Sequence, residues 1–398
     1  MSILIAIFWT CAGLIVYAYP GYALTIWLLS RLFGKRSSPP AASAPAIDLP
    51  SATLLIAAYN EAAVIEERIL NALAIDYPRD RFQIVVASDG SSDGTPDIVR
   101  RYVDRGVQIL DYRERRGKSA VLNATIAGLQ TDLVILSDAN TFNDPDAVLK
   151  LTRWFADPGV GSVVGKLVLT DPATGRNADS LYWKYETFLK KCEGRLGGLL
   201  GANGAIYAIR RPLYVPIPDQ TIVDDFVIPL LAKQEHGGTI VYDPEAVAHE
   251  ETPENIGSEF HRRARIGAGG FQAIALLWRL LDPHRGWISF TFLSHKILRW
   301  LCPAFMIGCI LSNVVLVLNG GSSLYRVLLT AQATFYLLAL VASWFPPKLK
   351  ILKPLRLVTM FTSMNVALLV GFFRWIGGRQ KGVWRRTERL VKPGGPPQ

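Results

Sequence analysis

The sequence predicts a membrane-associated α/β protein, in which a mostly parallel sheet carries helices on both faces and apolar helices lie towards either end of the chain. Two observations lead to this fold class. In residues 51–140, short apolar strands alternate with helical patterns, as is typical of a parallel sheet. Of the 398 residues, 50% are apolar, and the mean hydropathy of +0.23 is high for a soluble enzyme.

The chain begins with an uncharged apolar run from Met1 to Ser30, which is long enough to cross a bilayer. A cleavable signal peptide would carry its cations before the apolar core, whereas Arg31, Lys35 and Arg36 follow it. We therefore expect a retained transmembrane helix over residues 1–30, with its basic end inside, in preference to a signal peptide. Residues 31–46, which include SSPPAASAPA, are expected to form a linker.

Strand, turn and helix patterns follow one another in the middle of the chain. The apolar runs of SATLLIAAYNE, FQIVVASDG, VQILDYRERRGK and DLVILSDAN each end at polar residues, and TPDIV opens a helix with proline in its first turn. Ligands of open α/β sheets gather at the carboxyl ends of the strands. The candidate site residues at these ends are Tyr59, Glu61, Asp89, Asp138 and Asn140.

In order and spacing these segments resemble the family 2 glycosyltransferases, specifically the membrane-embedded branch of hyaluronan, cellulose and poly-N-acetylglucosamine synthases. AAYNE, SDGSSDGT and RGKSAVLNA resemble its nucleotide-contacting elements, and SDAN stands where the family carries Asp-X-Asp. GANGAIYAIRR resembles the acceptor segment, IVDDF stands in place of Thr-Glu-Asp, and RRARI in place of Gln-X-X-Arg-Trp. The resemblance covers roughly residues 50–300 and implies a cytoplasmic GT-A type nucleotide-sugar-binding domain, expected over residues 47–255.

The resemblance implies a glycosyltransferase whose donor is a nucleotide-diphosphate sugar, expected to be a UDP-sugar. Tyr59, Glu61 and Asp89 are expected to hold the uracil and ribose through hydrogen bonds. Lys118 is expected near the ribose or the phosphates. Asp138, at the end of its strand, is expected to face both the ribose and the metal.

Asp138 and Asn140 are the expected metal ligands, for Mg²⁺ or Mn²⁺. These cations prefer oxygen ligands, and phosphates and water complete their coordination shells. Asn140 still offers a carbonyl oxygen but lacks the charge of a second carboxylate, so we expect weaker metal binding than for a pair of aspartates. His249 is either a further ligand or a hydrogen-bonded surface residue. The four cysteines show no paired metal-site spacing.

By match to Thr-Glu-Asp, Asp225 is expected to be the general base and Asp224 its partner. A helix N-cap is the alternative role for Asp224. A raised pKa in a partly buried cleft would suit the base. A single base and direct displacement imply inversion at the anomeric carbon. Ala202, Asn203 and Gly204, in the GANGA segment, are expected to lie at the acceptor.

The segment RRARI departs from the family motif at two positions. Arg265 keeps the motif's arginine, which suits bidentate phosphate contact, and both Arg262 and Arg265 are expected to bind the donor. Arg262 replaces glutamine and Ile266 replaces tryptophan; the family uses that tryptophan to position the acceptor sugar, so its loss argues against processive synthesis. Two alternatives stay open: a polyprenyl-phosphate glycosyltransferase, favoured by Arg262, and a non-catalytic nucleotide-binding membrane scaffold of a polysaccharide secretion complex.

The last third of the chain returns to the membrane. We expect amphipathic interfacial helices over residues 256–299, membrane helices over 300–376 and a basic cytoplasmic tail over 377–398. A third full crossing at 357–376 would put that tail outside, so this segment is expected to be re-entrant or interfacial.

The net charge of +10 is concentrated near the C-terminus, where Lys348 to Lys392 contains 11 basic residues and the single acid Glu388. A basic segment beside membrane helices is typical of contact with anionic lipids, whereas nucleic-acid binding needs basic residues spread over a folded face. The expected location is the inner (plasma) membrane, multi-pass. The expected partners are a nucleotide-sugar, a lipid or glycan acceptor and anionic lipids, without nucleic acid.

Overall fold

The computed structural model describes residues 1–35, 49–170, 181–251, 256–343 and 353–378. They divide into two units: the first contains residues 1–26, 256–274, 292–343 and 353–378, and the second contains residues 27–35, 49–170, 181–251 and 275–291. The expected linker from residue 36 onwards, and the basic tail from residue 379 onwards, lie outside the described residues.

The helices are numbered in chain order. They are α1 (Ser2–Val16), α2 (Tyr22–Leu32), α3 (Ile65–Leu73), α4 (Thr95–Arg100), α5 (Lys118–Gly128), α6 (Ala147–Thr152), α7 (Leu181–Leu196), α8 (Asp224–His236), α9 (Ile256–Leu276), α10 (Trp287–Thr291), α11 (Leu298–Trp300), α12 (Cys302–Leu318), α13 (Ser323–Ser343) and α14 (Lys353–Ile376). The strands are β1 (Ala52–Ala58), β2 (Phe82–Asp89), β3 (Val107–Tyr112), β4 (Leu133–Asp138), β5 (Thr141–Asn143), β6 (Val160–Thr170), β7 (Tyr207–Arg210) and β8 (Thr239–Glu251).

All eight strands belong to one sheet of the second unit, in the order β3-β2-β1-β4-β7-β6-β8-β5. The four strands expected from the sequence, β1 to β4, pair in parallel. β7 runs antiparallel to both of its neighbours, and β5 runs antiparallel to β8. The sheet is therefore mixed, with its parallel part at the strands that carry the sequence motifs.

Helices cover both faces of this sheet, as predicted. Leu54 of β1 belongs to a buried apolar cluster with Ile65 of α3 and Val148 of α6. Its neighbour Leu55 points to the opposite face, because side chains alternate along a strand, and lines a small cavity with Leu122 of α5. β1, β2 and β4 are thus buried on both sides almost throughout, which explains their nearly continuous apolar sequences, whereas the edge strand β3 is partly exposed.

The register of the parallel strands brings their carboxyl ends to one edge of the sheet. Ala57 of β1 lies beside Asp138 of β4, and Ala58 lies beside Ser88 of β2. At the next pair, Asp89 lies beside Tyr112 of β3. The polar residues that follow each strand in the sequence therefore meet at this edge.

Most of the long apolar helices lie in the first unit. The segments Ser2–Leu32, Ser323–Ala342 and Leu357–Ile376 are long and apolar enough to cross a membrane. The Trp287–Trp300 and Cys302–Leu318 segments would form a fourth crossing as a pair that bends by 56°. Within the part of the chain that the structure describes, there are therefore three or four candidate spans.

Residues 357–376, expected to be re-entrant or interfacial, are part of helix α14, which has 24 residues without a break. A re-entrant turn within this segment is therefore wrong, whereas its interfacial character stays a prediction. Two of its polar side chains bond to carbonyl groups of their own helix: the Thr359 hydroxyl donates to the Leu355 oxygen at 3.0 Å, and Asn365 Nδ2 donates to the Phe361 oxygen at 2.9 Å. Because these groups are satisfied within the helix, they do not require a break in it.

Helix α9 packs closely on α14 within the first unit. A Cβ atom added to Gly371 would lie 2.6 Å from the Ala264 carbonyl oxygen, and one added to Gly267 would lie 3.2 Å from Leu368. Small residues of this kind let two helix backbones approach in a membrane. The interfacial character expected for residues 256–299 stays a prediction.

Candidate active site

The turn after β1 is tied to the loop after β2 by side-chain to backbone hydrogen bonds. Asn60, the only described non-glycine residue with a positive φ (54°), accepts a hydrogen bond from the Ser92 amide at 2.8 Å. The Asn60 amide donates to Ser91 Oγ at 3.1 Å, and the Glu61 amide donates to Thr95 Oγ1 at 2.9 Å. Two of the sequence motifs thus form one rim of the site.

The buried carboxylate of Asp89 holds the loop that leads into α5. Its Oδ1 accepts from the Arg116 amide at 2.6 Å and its Oδ2 from the Gly117 amide at 2.9 Å. The neighbouring Arg115 guanidinium lies 3.7 Å from the centre of the Tyr59 ring. Asp89 therefore positions this loop, while its expected contact with uracil stays a prediction.

Lys118, the first residue of α5, joins two strand and helix ends. Its Nζ lies 2.8 Å from Asp138 Oδ1, at the end of β4, and 2.9 Å from Asp224 Oδ2, at the start of α8. Burial lowers the pKa of Lys118, but the two carboxylates outweigh burial and the net pKa is raised. The alternative role of Asp224 as a helix N-cap is wrong: α8 begins at Asp224 itself, the capping position belongs to Val223, and the Asp224 carboxylate contacts Lys118.

Asp225, the second residue of α8, has a raised pKa. Burial and the charge of Asp224 raise its pKa to about 6, against an opposing effect of Lys118. Its Oδ1 accepts a hydrogen bond from the Phe226 amide at 2.9 Å. A carboxylate with a pKa near neutrality is suited to accept a proton from a hydroxyl group.

The expected acceptor segment lies between Asp138 and Asp225. The Ala202 amide donates to the Asp225 carbonyl at 3.1 Å, and the Asp138 amide donates to the Gly204 carbonyl at 3.0 Å. A Cβ atom on Gly204 would lie 3.1 Å from Asp138 Cγ, so only glycine leaves the carboxylate its present position. Asn203 Oδ1 is buried and has no hydrogen-bond partner among the described residues.

The candidate metal ligands follow the end of β4. Asn140 Nδ2 donates to Glu250 Oε1 at 2.7 Å, an interaction that leaves the Asn140 carbonyl oxygen for a cation. Asp138 adds a partly exposed carboxylate. His249 Nε2 lies 3.0 Å from Asp144 Oδ1 and is thus engaged elsewhere. Among the described residues no group of three His, Cys, Asp or Glu side chains is placed to hold a metal ion, so phosphate and water oxygens must complete any Mg²⁺ or Mn²⁺ shell.

Residues 53–213 match the sequence model of the family described as glycosyl transferase family 2. The chain carries a glycosyl transferase family 2 domain. The resemblance seen in the sequence is thereby confirmed for the part of the chain that contains the donor-side motifs and the acceptor segment.

Two relatives are similar over longer stretches. Poly-beta-1,6-N-acetyl-D-glucosamine synthase of Staphylococcus aureus is 27% identical over 239 residues, which are 57% of this chain and 56% of that protein. Beta-monoglucosyldiacylglycerol synthase of Synechocystis is 28% identical over 314 residues, which are 74% of this chain and 64% of that protein. The chain thus spans less than two thirds of either relative.

A solved structure supports the fold of the family 2 domain. The mannosyltransferase PcManGT from Pyrobaculum calidifontis, in complex with GDP-Man and Mn²⁺, superimposes with a TM-score of 0.69 at 22% identity. The match covers 95% of this chain and 99% of that one. The expected GT-A type fold is therefore confirmed.

The two arginines of RRARI lie outside the unit that contains Lys118, Asp138 and Asp225. Arg262 and Arg265 are on α9, in the first unit, where Arg262 is exposed and Arg265 is partly buried. Their expected part in donor binding stays a prediction.

Sequence reasoning missed two buried residues next to the family 2 site. Arg68 of α3 contacts the end of β4, and its signal in the sequence is an arginine on the same helical stripe as the buried Ile65 and Ile69. Tyr207 of β7 lines the small cavity with Lys118, and its buried hydroxyl has no hydrogen-bond partner among the described residues. Burial raises the pKa of Tyr207 well above the ordinary value, so the hydroxyl stays protonated.

Proposed function

We propose that this protein is an inverting glycosyltransferase of the membrane, which moves a sugar from a nucleotide-diphosphate donor to a polysaccharide or glycolipid acceptor. The observation that carries the proposal is the convergence of Asp225, with its raised pKa, on the group formed by Lys118, Asp138 and Asp224. A base, a donor-side carboxylate and a fixed cation at one sheet edge are the parts that sugar transfer requires.

In the proposed reaction, the acceptor hydroxyl gives its proton to the Asp225 carboxylate while its oxygen attacks the anomeric carbon. The bond between that carbon and the diphosphate oxygen breaks at the same time, and the nucleoside diphosphate leaves with the electron pair. Attack from the side opposite the leaving group inverts the anomeric centre. Lys118 pairs with Asp224 beside the base, and its charge limits the rise in the pKa of Asp225.

Asp138 and the Asn140 carbonyl oxygen are the residues that would hold a divalent cation. The cation, when bound, neutralises the charge that develops on the leaving diphosphate. The oxygen-only donor set fits Mg²⁺ or Mn²⁺. Tyr59, Glu61, Asp89 and Lys118 would then bind the nucleotide, and a UDP-sugar is the proposed donor.

A glycolipid acceptor is the candidate that two observations favour over a processively extended polysaccharide. Ile266 stands where polysaccharide synthases carry tryptophan. The relative named as a glucosyldiacylglycerol synthase also aligns over 74% of this chain, against 57% for the polysaccharide synthase. An anionic polyprenyl-phosphate acceptor would use the exposed Arg262 instead.

The proposed location is a multi-pass position in the inner membrane, with the family 2 domain on the cytoplasmic face. The three helices that are long and apolar enough to cross a membrane support it, together with the cations that follow the first of them.

The test is sugar transfer by the full chain in membranes or nanodiscs, with radiolabelled UDP- and GDP-sugars and with diacylglycerol, polyprenyl-phosphate and oligosaccharide acceptors. We expect transfer with one donor in the presence of Mn²⁺ or Mg²⁺, and a loss of at least about 100-fold for Asp225→Asn. Asp97→Asn, at an exposed ion pair with Arg100, is the matched control and should retain full activity. Failure to turn over any donor, or an active Asp225→Asn variant, would contradict the proposal.

A further inference from the structure

Arg68 is a buried charged residue that the proposed reaction does not use. It lies on the inward face of α3, its side chain is 0% exposed, and it is among the largest fully buried side chains of the described residues. An arginine at such a position is costly, since removing its charge from water is unfavourable by several kcal/mol unless partners compensate. Its contacts therefore need a physical explanation.

The three contacts of the guanidinium all go to neutral oxygen atoms. Nη1 donates to Asn71 Oδ1 at 2.9 Å, Nη2 donates to Ser137 Oγ at 3.1 Å, and Nε points at the Asp138 carbonyl oxygen at 3.4 Å. A guanidinium carries its N–H donors in a planar fork and can reach three acceptors that lie in different directions. The single ammonium group of a lysine cannot make the same three hydrogen bonds. Arg68 thus connects α3 with the last two residues of β4.

Its partners extend these contacts to both sides of the metal-binding turn. The Ser137 hydroxyl donates to the Ala205 carbonyl at 2.6 Å, next to the acceptor segment. Asn71 Oδ1 accepts from the Asn143 amide at 2.9 Å, and Asn71 Nδ2 donates to the Asn143 carbonyl at 2.8 Å. Residues 138–143, which include Asp138 and Asn140, are therefore fixed at both ends by groups that bond to Arg68.

The positive charge of Arg68 interacts with Asp138, at the start of this turn. Burial lowers its pKa to about 9, and the negative charge of Asp138 opposes this effect, so the guanidinium remains protonated at neutral pH. The charge thus stays within the interior, beside the carboxylate expected to meet the metal and the diphosphate.

We infer that Arg68 is a positioning residue of the donor site, where its guanidinium fixes the turn at residues 138–143 and thereby orients Asp138 and Asn140. The inference rests on the proposed function, because it assigns to that turn the binding of a nucleoside diphosphate. A purely structural arginine would affect thermal stability without changing the affinity of the site for a nucleotide.

The test measures binding of UDP and GDP, each with Mn²⁺, to the full chain in nanodiscs by equilibrium dialysis, together with thermal unfolding. Arg68→Lys keeps the charge but loses the fork, and Ser137→Ala removes one acceptor while leaving Arg68 in place. The matched control is Arg210→Lys. Arg210 also donates to three neutral oxygens, the carbonyls of Phe155, Asp157 and Val160, at the opposite edge of the sheet.

We expect the nucleotide that binds the wild type to bind at least tenfold more weakly to Arg68→Lys and Ser137→Ala, and with unchanged affinity to Arg210→Lys. Wild-type affinity in both variants would overturn the inference while leaving the nucleotide site intact. Equal losses in Arg210→Lys would also overturn it, since the effect would then be general. If Arg68→Lys does not fold, Ser137→Ala decides alone. A wild-type protein that binds neither nucleotide and turns over no donor would instead reject the proposed function, and the inference with it.

Discussion

Replacing Asp224 by asparagine tests the assignment of Asp225 as the general base, because it changes the pKa of the base without touching the base itself. The ordinary pKa of an aspartate is 3.8, and that of Asp225 is about 6. The difference corresponds to about 3 kcal/mol of free energy that disfavours the ionised form. Burial contributes the largest part and the charge of Asp224 the next.

A like charge in contact range shifts a pKa by about one unit or more, so Asp224→Asn should lower the pKa of Asp225 to about 5. The base must be ionised to act, and therefore the rate falls as the pH drops below its pKa. At pH 5 the wild type should keep about one tenth of its plateau kcat/KM, and Asp224→Asn about one half of its own, lower plateau. Lys118→Met should shift the acidic limb of the pH profile to higher pH, because Lys118 lowers the pKa of Asp225.

The measurement is kcat/KM for the donor from pH 4.5 to 9, in nanodiscs, with each profile normalised to its own plateau. This quantity reports the pKa values of the enzyme before the donor binds, which is the state that the structure describes. Asp97→Asn is the control whose acidic limb should not move. Shifts of the same sign in Asp224→Asn and Lys118→Met would refute the electrostatic reasoning, and an unshifted limb in both would remove Asp225 from the role of base.

Three further predictions concern the rest of the site and the membrane. Gly204→Ala should reduce transfer by at least about tenfold with a small change in melting temperature, since its Cβ displaces the Asp138 carboxylate by several tenths of an ångström; wild-type transfer would contradict this. Asn140→Asp should make activity more strongly dependent on Mn²⁺ in a chelator titration, because it adds a carboxylate at the cation; an unchanged titration would argue against Asn140 as a ligand. If α14 crosses the membrane, reporters fused after Gly320 and after Gly378 should report the same face, since two spans then separate them; opposite faces would leave α14 as an element that does not cross.

The parallel part of the fold could be predicted from the sequence because its strands are short apolar runs that end at polar turns. The strand β8 could not be predicted in the same way, since TIVYDPEAVAHEE carries five acidic or histidine side chains and reads as a loop. It forms a strand because β6 pairs with it in parallel and β5 pairs on its other side. Such long-range pairing overrides local propensity.

The sequence predicted those residues of the candidate site that follow the carboxyl ends of the parallel strands. Asp138 and Lys118 meet because the carboxyl ends of parallel strands share one edge, which the order of elements already implies. The contacts of Arg68 were not predictable, because the helical stripe reveals only that the residue faces inward. Its partner Ser137 is 69 residues away in the chain, and only the packed structure brings the two together.

The neighbourhood of Asn140 gives a physical reason for an asparagine in the place of the family's second aspartate. The Asn140 amide donates a hydrogen bond to Glu250, so an aspartate there would bring two carboxylates to about the same 2.7 Å separation. Like charges at that distance repel strongly unless a proton or a cation lies between them. The amide instead joins the residue before β5 to Glu250 of β8, and under the proposed function its carbonyl oxygen would be left for a cation that binds with the donor diphosphate. Under the proposed function, asparagine at this position would lower the affinity for the free metal ion and would hold the turn in place before the donor binds.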